Sequence, residues 1–500
     1  MSSFDPKFEG KRRNGAFYHR FPSRFENLAS NNLGVIGPKN ANKILVRSNE
    51  IDLYDKYYDC TQYDHLSNWD ESCSASDYVA VRKRRPRINY AFAKMLTSRV
   101  ASKLVGHGNF PSLSVTDDPD TTEFLKIIQK ASMFQARMIE PVRRLVNSGS
   151  VFVRFQIAGQ AIKIEWYNSK YCYPKFDGSG ELVELMVKYV YDDQDDLDSK
   201  GDAKRKWHKM ILSTSVDILF DNPEYKPNIE PVFDIVSEVQ HDLGYVQGHW
   251  FRTSEERDSV DGYSLVSDLT DFIDEMNYNL SQSSQAIGYN QDPQTIINGM
   301  TEDELDELVR SSSKAWNLGR EGKASMLESN MGGVKAAMDL RDRVRLGIQD
   351  ISRVVLLDPE KMAAHAQSGR AMEIMHGPFV ELLNELRPWV ERGIISLILK
   401  MALTILLIEE RGMDGPITIP TGYKPKSLDI TADWPPVFPL TMSDLKEMLG
   451  VATQATSANI FSREWAARWL AKIREFGVDD IETELQKVAA QPVINPFGGF

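Results

Sequence analysis

Few residues in this chain have the types and spacing that chemistry needs. The eight histidines are scattered, and none falls in an HExxH pair or a Cys/His zinc spacing. There is no GxxxxGK[ST] loop to cradle phosphates and no GxSxG elbow to expose a serine nucleophile. Asp196, Asp198 and Gly201 resemble the start of a calcium loop, but the position that needs a bidentate glutamate is Trp207. The pairs Asp117/Asp118 and Asp192/Asp193 could hold a divalent metal in a nuclease or hydrolase. Carboxylates on exposed loops more often serve solvation. We therefore expect no catalytic set, no metal, no cofactor and no enzyme.

The basic run Arg82-Lys83-Arg84-Arg85-Pro86-Arg87 has three readings. It could be a solvated face, a docking patch for an acidic protein partner, or a direct DNA contact. The last is disfavoured by the whole chain. Asp and Glu total 71 against 59 Lys and Arg, a formal net charge of −12. An acidic chain with one basic patch holds phosphates weakly.

The elements that would position these residues need a large core. The chain has 500 residues, 42% of them hydrophobic, which excludes intrinsic disorder and suggests several domains. Cys60, Cys73 and Cys172 make no dense, even framework, so a disulfide scaffold is excluded and a reducing, intracellular assembly site fits. The N-terminus, MSSFDPKFEGKRRNGAFYHRF, lacks the apolar core of a secretory signal. The longest apolar stretch, Ile394 to Ile408, carries Lys400 and is too short for a bilayer span, so we expect a buried helix and no membrane partner.

Periodicity divides the rest. Helical spacing runs from Thr121 to Asn147 and stops at Ser148-Gly149-Ser150. Alternation at Val151–Ile157 and Ile162–Trp166, around Ala158-Gly159-Gln160, predicts a hairpin. Strands are expected at 181–191, 208–220, 231–236 and 245–251. The acidic stretch 192–202 reads as a solvated loop tip that pairs with the basic 204–209. After Gly262 the pattern is helical. Ser264 should cap a helix ending near Gly288. Thr301–Glu304 is a capping box for a helix to about Asn317, and 318–333 could hold a short hairpin. A long helix should run over 334–354, with Val334, Met338, Val344, Ile348 and Ile351 inward. Another should run from Gly369 to about Glu410, kinked or broken at Pro378 and Pro388. Residues 412–440 are proline-rich and read as a crossover. Helices are expected at 441–456, at 462–475 (capped by Ser462, with Trp465 and Trp469 on one face) and at 479–489.

The order of motifs in the C-terminal half is distinctive. Gly262-Tyr263-Ser264 leads into a helix carrying Asp274-Glu275-Met276-Asn277-Tyr278-Asn279-Leu280-Ser281. Pro293 to Gly299, Asp358-Pro359 and Ser368-Gly369-Arg370-Ala371-Met372 follow. Ile460-Phe461-Ser462-Arg463-Glu464 and Asp479–Glu484 close the series. Over about 120–490 this order resembles the portal proteins of tailed bacteriophages, and the hairpin at Gly149–Trp166 resembles that family's wing.

The resemblance implies an α+β, portal-like fold: a mostly helical stem, tunnel helix and crown, with a β-rich wing and a small α/β clip. It maps the wing to 1–262 and 412–440, the stem helices to 263–289 and 333–354, and the clip to 290–332. The tunnel loop falls at 355–368, the kinked tunnel helix at 369–411, the crown at 441–489 and a tail at 490–500. It implies a homo-oligomeric ring, usually a dodecamer, at the portal vertex of a virion capsid, assembled in the host cytoplasm. This head-tail connector would conduct double-stranded DNA during packaging and genome ejection. Its partners would be the major capsid protein, the terminase large subunit and a neck or adaptor protein. Asp358, Glu360, Lys361, His365, Gln367 and Arg370 would face the DNA channel. Lys361 and Arg370 would touch phosphate transiently, or pair with acids such as Glu360. Another virion ring protein, or a metal-dependent nuclease, remains the alternative.

Overall fold

The computed structural model describes residues 38–69, 80–116, 118–159, 161–197, 201–227, 229, 231–241, 243–256, 259–291, 295–298, 323–326, 332–355, 376–412, 415–417, 429–438, 442–458, 460–471 and 485–487. The described chain opens with α1 (Pro38–Asp59) and a short parallel pair, β1 (Ser67–Asn68) with β2 (Arg84–Arg85). Next come α2 (Phe92–Val105) and β3 (Ser112–Val115).

The helical spacing over 121–147 resolves into two helices, α3 (Pro119–Ala131) and α4 (Phe134–Ser148). The break is Met133, whose φ of 49° is left-handed and cannot continue a right-handed helix. Gly149 ends α4 at φ 84°. A Cβ there would lie 2.0 Å from the Gly262 carbonyl oxygen, so only glycine permits this crossing.

The predicted hairpin forms as β4 (Ser150–Ala158) and β5 (Ala161–Asn168). An antiparallel meander follows: β6 (Cys172–Phe176), β7 (Leu182–Leu197), β8 (Ala203–Ser213), β9 (Val216–Phe220) and β10 (Ile235–Gln240). The run 208–220 is split because the Ser213 Oγ accepts the Val216 amide at 2.9 Å and turns the chain. The stretch 192–202 is not only a loop tip. Asp192 and Asp193 extend β7 and sit opposite Arg205 and Lys204. The expected local pairing does occur: Arg205–Asp192 is 3.1 Å, Lys206–Asp193 2.9 Å and Lys204–Asp196 2.7 Å. Opposite charges across strands favour the ladder. β11 (Gly248–Arg252) then joins the free edge of β4, giving the order β11-β4-β5.

Helix α5 (Thr270–Gln291) starts later than Ser264 suggests. The Ser264 hydroxyl accepts the Val266 amide, 3.1 Å, and so caps the preceding turn. β12 (Thr295–Asn298) pairs with β13 (Lys323–Met326). The described strand within 318–333 pairs with 295–298. The helix expected over 301–317 lies outside the described residues. α6 (Gly332–Ser352) buries Ile348, while Ile351 stays 40% exposed despite its inward spacing.

The longest helix is α7 (Gly377–Glu410), 34 residues and about 51 Å at 1.5 Å per residue. Pro378 sits in its first turn, where a missing N–H costs nothing, so it starts the helix instead of kinking it. The helix runs on through Pro388. Residues 369–375 lie outside the described set. The apolar run forms its buried stripe, with Ile394, Leu397, Ile398, Met401 and Ile405 nearly solvent-free. Among the described residues no helix is long and apolar enough to cross a membrane. β14 (Ile430–Asp433) returns the crossover to β3. α8 (Met442–Ser457) and α9 (Arg463–Ala471) follow, with the Ser462 hydroxyl accepting the Trp465 amide at 3.0 Å and Trp465 stacked on Trp469. Of 479–489, only 485–487 are described.

These elements form two compact units. The first draws on 1–96, 226–230 and 264–352, the second on 97–225, 231–263 and 353–500. The first is centred on Tyr63, Trp69 and Tyr278. The second has a sheet core that includes Phe152, Cys172, Leu185, Val187, Leu212 and Trp250.

Candidate interface and channel residues

The basic run begins in a 3-10 turn, Val81–Lys83, and continues as β2. Its charges point in several directions. The Arg82 guanidinium meets Glu275 at 2.5 Å and lies 5.3 Å above the Tyr278 ring. Arg84 is buried, 3% exposed, with its guanidinium 5.7 Å from the Trp69 ring. Arg85 pairs with Asp64 at 3.0 Å. The backbone is also held: the Tyr278 hydroxyl donates to the Arg84 carbonyl at 2.6 Å. Lys83 and Arg87 are exposed.

Beneath the run lies a polar stripe on α5 that the sequence does not advertise. Asp274, the adjacent Asn277 and Tyr278, Ser281 and Gln285 recur at intervals of three or four residues, so they share one helix face. Each meets the segment 57–90. The Tyr57 hydroxyl donates to Asp274 Oδ2 at 2.8 Å and the Tyr63 hydroxyl to Oδ1 at 2.5 Å. The Asn277 side chain donates to Tyr63 and to Asn89, and accepts the Tyr90 amide. Ser281 accepts the Ile88 amide at 3.0 Å, and Gln285 accepts the Trp69 indole N–H at 2.9 Å.

Asp274 is 1% exposed. Burial pushes its pKa up to about 7, opposed by the two tyrosine hydrogen bonds; Asp271 raises it further and Arg82 lowers it. Burial and the same carboxylate push Tyr63 up strongly. Near neutral pH the site is thus poised between acid and carboxylate, clasped by two phenols. The signal that could have found it is a helical period written in polar residues.

Asp118 has a structural task. Its carboxylate accepts the Thr121 amide at 3.2 Å and the Thr121 hydroxyl at 2.6 Å, capping α3. Asp117 lies outside the described residues. Asp192 and Asp193 are engaged in the β7–β8 ladder. Among the described residues no group of acids, histidines and cysteines could hold a metal. Asp358, Glu360, Lys361, His365, Gln367 and Arg370, expected from the resemblance to face a channel, all lie outside the described residues.

The chain thus packs α5 against α6, carries the β12–β13 pair on the segment between them, and has a long helix later in sequence. A family model described as "Phage portal protein, SPP1 Gp6-like" matches residues 42–491. The chain belongs to this portal family. The match covers most of α1 and the basic run as well as the C-terminal half, so the segment 57–90 that meets α5 falls within the family's extent. No curated protein matches the chain. Among solved structures, a chain of "Virion of native gene transfer agent (GTA) particle" is similar at 10% identity and a TM-score of 0.39, covering 76% of this portal chain and 89% of that one. A chain of "Neck of native GTA particle computed with C12 symmetry" shares 10% identity at a TM-score of 0.37, over 76% and 89% of the two chains.

Proposed function

We propose that this protein is one subunit of a ring, a dodecamer in the arrangement the family resemblance implies, at a single vertex of a phage capsid. The ring is a conduit for double-stranded DNA in packaging and ejection and has no chemistry of its own. It docks the capsid protein on its rim, and terminase and then a neck or adaptor protein on its clip. The observation that carries this reading is the portal-family match over 42–491.

The domain assignment that goes with it is a wing from 1–262 and 412–440, of which 38–96 brace the stem. The stem helices are 263–289 and 333–354, with the clip at 290–332 between them. The tunnel loop is 355–368, the tunnel helix 369–411, the crown 441–489 and the tail 490–500. The stem supports assembly with neighbours: Leu340, Leu346 and Ile351 of α6 are 44%, 57% and 40% exposed in the single chain, and a ring gives such side chains something to cover them. The net charge of −12 suits a duct that DNA slides through, since many phosphate contacts per subunit would hold it fast. Any docking of an acidic partner on the basic run has the exposed Lys83 and the exposed ion pairs of Arg82 and Arg85 to draw on.

The test is to shorten the loop within 358–366. Rings should still assemble, while DNA retention or packaging is disturbed. A deletion that abolishes folding would show that this segment is core, and the channel assignment would fail.

A further inference from the structure

The second unit contains an open, shallow hollow walled by three segments. β11 gives His249, Trp250 and Arg252. The chain from the end of β6 to the start of β7 gives Phe176, Glu181 and Leu182. Trp389, Arg392 and Lys400 come from one face of α7. Two arginines and a lysine thus meet a single carboxylate, a local excess of basic groups in a chain that is otherwise acidic.

These cations are incompletely satisfied. Arg392 pairs with Glu181 at 3.0 Å. The Lys400 ammonium donates to the Gly248 carbonyl at 2.9 Å, which leaves two of its three N–H groups. The Arg252 guanidinium lies 5.3 Å from the Phe176 ring, and among the described residues no acid pairs with it. The surroundings register the missing counter-charge. Loss of solvent, then Lys400, Arg392 and Arg252 in turn, push the His249 imidazole down to about 3, so the ring is neutral and offers one N–H. Burial lowers Lys400 as well, with only Glu181 opposing. The wall is also fixed in place: a Cβ on Gly393 would lie 2.1 Å from the Phe251 ring, so α7 is pressed onto β11 beside Arg392.

We propose that this hollow binds a small, free oxyanion of the phosphate or sulfate class, held by Arg252, Lys400 and His249, with Arg392 beside them. A guanidinium edge and an ammonium are the donors that hold such anions best. Glu181 is the built-in competitor, because it occupies part of the charge the anion would use.

The test is calorimetric titration of inorganic phosphate into the full-length protein at low ionic strength, with circular dichroism to confirm folding of each variant. Saturable binding is expected at one anion per chain. Arg252→Gln should weaken it by at least about tenfold, and Lys400→Met should do the same. Glu181→Gln should tighten it, a gain that lost packing would not produce. Absence of saturable binding at millimolar phosphate, or equal binding by Arg252→Gln, would overturn the site. A short DNA duplex competing in the same titration separates the sources: no displacement supports a free anion, and displacement would overturn that assignment.

Discussion

Two groups of positive charge in this protein behave in opposite ways. The run at 82–87 is conspicuous in sequence and largely engaged within its own unit: Arg82 by Glu275, Arg84 by burial against Trp69, Arg85 by Asp64. Arg252, Arg392 and Lys400 are inconspicuous in sequence and converge on one hollow with a single acid. Adjacency in sequence is thus a poor guide to available charge. A 3-10 turn that passes into a strand aims successive side chains at different neighbours, and this basic run divides its charges that way. A strand end and a helix face can instead aim distant residues at one point.

The contrast can be broken most forcefully at Arg84. Replacing it with Ala should cost the first unit about 2–4 kcal/mol, because a buried cation and its aromatic contact are lost together. Chemical denaturation measures this, and a loss under about 0.5 kcal/mol would return the run to the status of a solvated face. Next is Gly393→Ala, expected to destabilise the second unit by about 1–3 kcal/mol through overpacking against Phe251. It should also weaken phosphate binding by shifting the wall; a variant as stable as the parent would show that α7 is not pressed onto β11.

A third prediction concerns pH. Asp274 is raised to about 7 in the folded chain, against an ordinary 3.8. Between these values the folded state holds a proton that the unfolded state has released. Its contribution to stability is therefore full below about pH 4, falls as pH rises, and is lost above about 7. Asp274→Asn should flatten that slope of melting temperature against pH; an unchanged slope would remove Asp274 as its source. The smallest effect is expected for Arg85→Gln, whose exposed ion pair contributes under about 1 kcal/mol. A larger loss in thermal melts would mean that Arg85 matters to the unit as much as Arg84.

Much of this fold was legible because its signals are local. Alternation of Val151, Val153 and Phe155 marks the hairpin, and Ser462 with Trp465 and Trp469 marks α9. The break at Met133 was not legible, since apolar spacing continues through it and only the backbone angle reverses. The stripe from Asp274 to Gln285 was hidden for a different reason: helical periodicity is usually sought in apolar residues, and here the buried face is polar. The pairing of Lys323–Met326 with Thr295–Asn298 was not legible because strand pairing is a long-range choice. Asp118, read as a possible metal ligand, is a helix cap that only the Thr121 contacts reveal.

An averaged electron-microscope image of the purified protein bears most directly on the portal assignment. A symmetric ring with an open central channel is the predicted result. A stable monomer under every condition tried would contradict it.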